Sequence, residues 1–279
     1  MDLNQAIGFA QVVNAAYAID PSNITNSAGQ SISAGGTTYT VITTIYANDL
    51  ATEMNPLRAT NIVSIGLILQ ANGAGDVVIA IRGTEGIMEW IQDAKFGMVS
   101  CPFLPGAGNT EDGFTAMYSS LATGSHGNAS PRVVGALGTL AYPQSVSSVT
   151  ICGHSLGGAL VTLLALDVAA NTIFKTPTVY SYASPRAGDP TFVSMYNHMV
   201  PNTYRIANRM DLVPKLPLPP LYDHVLGLFE LNPVRLLPLP PKVLVKPTIP
   251  CEHILNTYLY LLSVAVGGPV LPLDPQCVP

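Results

Sequence analysis

Residues 149–158 read Val-Thr-Ile-Cys-Gly-His-Ser-Leu-Gly-Gly, a G-x-S-x-G pattern (Gly153, Ser155, Gly157) between an apolar run and a helical one over 159–170. A serine on such a strand-to-helix turn holds its hydroxyl out above the sheet. Glycines two residues to either side give the backbone room to bend. The Leu156 amide, at the helix start, then points where an oxyanion would form. These residue types at this spacing imply a serine that attacks an acyl carbon.

A serine nucleophile needs a base to take its proton and an acid to orient that base. In the order Ser…Asp…His both partners follow residue 155. The histidines there are His198, His224 and His253, and the acids include Asp167, Asp189, Asp211, Asp223 and Asp274. Asp211 follows a predicted strand, 203–206, by a short loop. His253 begins an apolar helical run from which a loop can bring its ring onto Ser155. Spacing favours His253 over His224 only modestly and leaves both open. His126 and His198 read as surface or cap residues, and His154 as the variable position beside the nucleophile. A second oxyanion donor is expected at an earlier strand end, where 77–82 runs into Gly83-Thr84; Thr84 offers an amide and a hydroxyl. Residues 85–92 follow as a short amphipathic segment. It sets Ile87, Met88, Ile91 and the chain's one tryptophan, Trp90, around an apolar face.

These residues must be carried by a scaffold, and 279 residues suffice for one large α/β domain spanning 1–279. Strands are predicted at 39–46, 62–70, 77–82, 149–152, 178–183 and 203–206, with 71–76 as a hairpin turn. Helical periodicity marks 110–122, 132–142 and 159–170, and Leu3, Ile7, Ala10, Val13 and Tyr17 repeat at helical spacing in the first segment. That segment lacks the basic start and continuous apolar stretch of a secretory signal. Residues 21–36 read as a polar loop. Alternating strands and helices predict a central mixed sheet with helices packed on it. Residues 213–250 hold ten of the 24 prolines and read as a stiff, irregular, apolar excursion.

Charged residues are only 10% of the chain, the apolar fraction is 48% and mean hydropathy is +0.35. That composition suits a greasy substrate, while a net charge of −5 with scattered Lys and Arg argues against nucleic acid. Residues 254–273 carry Asn256 and a Gly-Gly-Pro break, so they read as a buried helix and tail rather than a membrane span. The four cysteines (Cys101, Cys152, Cys251, Cys277) form no C-x-x-C pair, and neither a metal site nor a cofactor is expected. Cys152 reads as a buried thiol. Cys251 and Cys277 are candidates to staple the tail if the protein is exported.

Ile81-Arg82-Gly83-Thr84, Gly113-Phe114 and Gly153-His154-Ser155-Leu156-Gly157-Gly158 resemble, in this order, the motifs of the class 3 (fungal-type) lipases. Ser184-Pro185-Arg186-Ala187-Gly188-Asp189 is similar to that family's S/G-P-R-x-G block. Residues 205–214 are similar to its R-x-x-N-x-x-D-x-V-P block, and 253–259 to its catalytic-histidine segment. The resemblance implies an α/β-hydrolase fold, with a mostly parallel mixed sheet and helices on both faces. It also implies a triad of Ser155, Asp211 and His253, oxyanion donors Thr84 and Leu156, and a lid over 85–92. His224, in Tyr222-Asp223-His224-Val225-Leu226-Gly227, then matches a non-catalytic family histidine. The implied activity is hydrolysis of carboxylic esters, most readily triacylglycerols, by a monomer at an oil–water interface without cofactor. A feruloyl or short-chain carboxylesterase on the same fold is the nearest alternative, and a silent lipase-like scaffold the more distant one. The resemblance implies secretion, and a cytoplasmic location stays open because this chain shows no signal.

Overall fold

The computed structural model describes residues 1–23, 25–49, 61–84, 96–124, 132–236 and 245–279. Its main sheet runs in the order β1-β2-β3-β4-β8-β9-β10-β11. The strands are β1 (Ser31–Ala34), β2 (Thr37–Asn48), β3 (Ile62–Ala71), β4 (Asp76–Ile81), β8 (Ser148–His154), β9 (Thr178–Tyr182), β10 (Thr203–Asn208) and β11 (Leu228–Leu231). A two-residue strand, β7 (Ala122–Thr123), pairs with β2, while β5 (Met98–Ser100) and β6 (Asn109–Glu111) form a separate hairpin. Pairing is antiparallel from β1 to β4 and parallel from β4 to β11.

Alternation along the strands explains why both faces are covered. In β4, Val77, Ile79 and Ile81 enter one core and Val78 and Ala80 the other. The first core is filled by helices α2 (Asp112–Ser119), α3 (Val133–Leu137), α4 (Leu156–Asn171) and α5 (Pro190–Met199). The second is filled by α1 (Leu3–Tyr17) and α8 (Leu255–Val266). Helix α4 is buried from Leu156 to Ala169, as expected of a helix that is apolar all round. Among the described residues no helix is long and apolar enough to cross a membrane.

Several elements depart from the sequence-based expectations. The polar stretch 21–36 contains β1, which among the described residues is an edge strand paired with β2 alone. Helix α2 starts at Asp112 rather than 110, because Asn109–Glu111 pair as a strand and the Glu111 carboxylate accepts the Phe114 N–H (2.6 Å) as a cap. The helix expected over 132–142 is only α3, with Gly138 at its C-cap. The proline-rich excursion is not irregular throughout. Leu228–Leu231 contains no proline, keeps every donor, and extends the sheet beside β10. A short α6 (Pro233–Leu236) follows it, and α7 (Ile249–His253) closes the excursion.

Cys251 in α7 is disulfide-bonded to Cys277, 26 residues on, while Cys101 and Cys152 are buried free thiols. Denatured but unreduced protein should therefore take up two alkyl groups by mass, and reduced protein four. Reduction should lower the unfolding free energy by about 3 kcal/mol, read as a shift in the urea midpoint.

Candidate active site

The turn after β8 is built from close approach. A Cβ on Gly153 would lie 2.4 Å from the Gly157 carbonyl oxygen, and one on Gly157 would lie 2.3 Å from that of Ile81. Only glycine lets α4 start this near β4. Ser155 between them has φ 60° and ψ −126°, a strained conformation for a residue with a side chain. Its own N–H donates to the Tyr182 carbonyl on β9 (2.9 Å), which holds the turn against the next strand.

Ser155 Oγ lies 2.8 Å from His253 Nε2, and His253 Nδ1 lies 2.8 Å from Asp211 Oδ2. All three are buried, Asp211 completely. The serine hydroxyl donates to the ring, and the opposite ring N–H donates to the carboxylate. Asp211 also accepts from the Val213 N–H through Oδ1 (2.9 Å) and from the Tyr258 hydroxyl through Oδ2 (2.8 Å). Burial and the nearby Asp211 hold the Tyr258 hydroxyl well above its usual pKa, so it stays a neutral donor. Such a line can pass a proton from hydroxyl to imidazole while the carboxylate steadies the cation formed.

His253 reaches this position from the junction of α7 and α8. Asn208 at the end of β10 donates to both the backbone and side-chain oxygens of Glu252 (2.9 Å each). The Tyr258 hydroxyl accepts the Asn208 N–H (3.0 Å). Asn208 at the end of β10, Glu252 in α7 and Tyr258 in α8 thereby fix the imidazole against the Asp211 carboxylate.

Thr84 follows β4 and Leu156 opens α4. The register pairs Ile81 with Gly153, so both loops leave adjacent parallel strands at one level. Among the described residues the Leu156 N–H has no partner, as the first amide of a helix should not. A cavity of about 240 Å³ lies against Thr84 and Leu156, with Val63, Ile65 and Met117 in its wall. The segment 85–92, with Ile87, Met88, Trp90 and Ile91, lies outside the described residues, as does His126.

His224 is not brought to the serine. Its Nε2 donates to the Pro214 carbonyl (2.6 Å), and burial, with the Arg205 cation, pushes its pKa down to about 3. His198 is an exposed residue of the last turn of α5. Arg186 and Asp189 serve structure: Arg186 donates to the carbonyls of Lys215 and Pro217, and Asp189 caps α5 through the Phe192 N–H (2.8 Å). Sequence reasoning missed Tyr258, Asn208 and His154. The first two stand inside the quoted motif blocks, where a residue of unassigned role was visible. His154 is fully enclosed, and its partners could not be read from its neighbours.

A mixed sheet covered by helices on both faces, with a serine on the turn after a central parallel strand, is the architecture of the α/β-hydrolases. A mono- and diacylglycerol lipase from Aspergillus oryzae shares that fold, with a TM-score of 0.62 at 24% identity over 81% of this chain and 78% of its own. Residues 78–220, just over half of the chain, match the family model of lipase (class 3), and the chain belongs to that family. It is 33% identical over 238 residues to a phospholipase A1-II 3 of Oryza sativa subsp. indica, covering 77% of this chain and 55% of that protein. It is 32% identical over 164 residues to phospholipase A1-IIgamma of Arabidopsis thaliana, covering 52% and 39%. The chain thus spans between 39% and 55% of the length of these curated relatives.

The His224 pocket yields a signed pH dependence. Unfolded, this imidazole takes a proton below about 6.5; folded, it resists one down to about 3. Its contribution to stability is complete above pH 6.5 and is lost as pH falls towards 3. His224→Gln keeps a donor for Pro214 without that loss. Relative to the variant, wild type should lose up to about 1.4 kcal/mol per pH unit below 6.5, measured by urea unfolding at stepped pH.

Proposed function

We propose that this chain is a serine-dependent hydrolase of lipid carboxylic esters, a single α/β-hydrolase unit acting through an acyl-enzyme. The observation that carries the reading is the buried line Ser155 Oγ–His253–Asp211, with 2.8 Å at each link. Ser155 Oγ attacks the ester carbonyl as His253 Nε2 takes its proton, and Asp211 stabilises the imidazolium. The amides of Leu156 and Thr84, with the Thr84 hydroxyl, receive the oxyanion. His253 then protonates the departing alcohol, and water repeats the sequence to release the acid. The geometry of these residues requires no metal or cofactor for any of these proton transfers.

Triacylglycerol at an oil–water interface is the substrate we assign. The segment 85–92 serves as a lid whose Ile87, Met88, Trp90 and Ile91 meet the lipid when it opens. A second reading, cleavage of an acyl ester in a diacyl phospholipid, is favoured by relatives named phospholipase A1 at 32–33% identity. The two share one chemistry and differ in the alcohol that leaves.

Ser155→Ala should remove at least about 10⁴-fold of turnover while the protein still unfolds cooperatively. Wild-type rates in that variant would refute the assignment. Hydrolysis of tributyrin, followed through its solubility limit, should jump as droplets form, with a shift in Trp90 fluorescence. Saturation below the limit would make the protein a soluble-ester esterase. Faster fatty-acid release from phosphatidylcholine vesicles than from the emulsion would replace triacylglycerol by phospholipid.

A further inference from the structure

Tyr17 ends α1 and packs with the core on the face of the sheet opposite α4, yet its hydroxyl reaches the active-site loops. The Gly83 N–H donates to the Tyr17 oxygen (2.8 Å), and the same hydroxyl lies 2.8 Å from His154 Nδ1. His154 Nε2 in turn lies 2.8 Å from the backbone carbonyl of His253. The protons along this path can be assigned without ambiguity. A carbonyl only accepts, so Nε2 carries a hydrogen and donates it. Burial, and then the neighbouring His253, hold His154 well below the usual imidazole pKa, so the ring is neutral and Nδ1 is bare. Nδ1 therefore accepts the Tyr17 hydrogen, and the Tyr17 oxygen is left to accept from Gly83. The bonds run one way, from the Gly83 amide through Tyr17 and His154 to the His253 carbonyl.

The two ends of this path are functional loops. Gly83 precedes Thr84, and His253 is the residue whose ring meets Ser155; His154 is itself bonded to Ser155 in the chain. The contacts through Asn208, Glu252 and Tyr258 tie His253 to β10. This path ties it to the loop after β4 instead. We propose that Tyr17 and His154 are positioning residues, one hydrogen-bonded strut that sets the spacing between the oxyanion donor Thr84 and the base His253. The inference rests on the roles of Ser155, His253 and Thr84 proposed above. A base and an oxyanion donor must keep their separation to within a fraction of an ångström, since misplacement by about 1 Å costs on the order of 100-fold in rate. Satisfying buried polar groups would by itself stabilise the fold and leave the rate per folded molecule unchanged.

The test uses the full chain and p-nitrophenyl butyrate, with active serine counted by a phosphonate ester. Tyr17→Phe should lower kcat per titrated site about tenfold with KM within about twofold of wild type. His154→Gln, whose amide N–H can replace Nε2–H, should retain more kcat than His154→Leu. The double variant Tyr17→Phe/His154→Leu should fall no more than about twofold below His154→Leu, because a strut already cut is not cut again. Should His154→Leu fail to fold, the His253 Nδ1–H proton resonance in Tyr17→Phe serves in its place, and a displaced line is expected. Unchanged kcat and resonance in Tyr17→Phe, or single effects that multiply in the double variant, would overturn the strut. Loss of turnover in Ser155→Ala with full kcat in Tyr17→Phe overturns the strut alone. Wild-type turnover in Ser155→Ala overturns the functional reading and the strut with it.

Discussion

Gly157 sits so close to β4 that the smallest side chain would press within 2.3 Å of the Ile81 carbonyl oxygen, and the geometry of the site descends from that contact. It lets α4 begin where β4 ends. The parallel register of Ile81 with Gly153 then sets the loop carrying Thr84 beside the turn carrying Ser155. A wider crossing would admit larger residues and would pull the two loops apart. The strain at Ser155, φ 60°, is the local cost of this crossing. It is held in place by the Tyr182 carbonyl on the neighbouring strand and by a helix buried along nearly its whole length.

The base we propose, His253, lies 98 residues after the serine, and nothing local can aim it. The structure supplies three restraints of different kinds. Covalently, Cys251 is clipped to Cys277 two residues before His253. Through hydrogen bonds, Asn208 and Tyr258 join the end of β10 to the start of α8. Electrostatically, the completely buried Asp211 accepts from His253, Tyr258 and Val213, so its charge is compensated at both oxygens.

What could be read from the sequence follows the range of the interaction. The turn at Ser155, the strand before it and the helix after it are local, and their pattern is plain in ten residues. Asp211 was legible as an acid just past a strand end. His224 and His253 were harder to separate because both follow proline-bearing loops whose paths spacing does not constrain. The difference between them is tertiary: one imidazole meets the Pro214 carbonyl, the other Ser155 and Asp211. Strand β11 was hidden by the prolines around it, although its own four residues have none. The role of Tyr17 was invisible for another reason. As one of several apolar positions on a helix it looked like core, and its hydroxyl finds His154 only across 137 residues.

Polar groups buried near a reacting centre are useful only if nearly all of them are satisfied, since a partly bonded network lets side chains settle elsewhere. Buried side-chain atoms without a partner do occur among the described residues, at Tyr46, Ser64, Ser181 and Asn232. None belongs to the line from Ser155 to Asp211, or to its supports Tyr258, Asn208, Glu252, Tyr17 and His154. Among the described residues the Leu156 N–H is left without a partner, and it is one of the amides we propose for the oxyanion. On the proposed mechanism, the side chains that must stay still are bonded, while the amide that would meet the substrate oxygen is left open. That division is what electrostatic preorganisation requires: the donors are oriented before the charge exists, so little reorganisation remains when it forms.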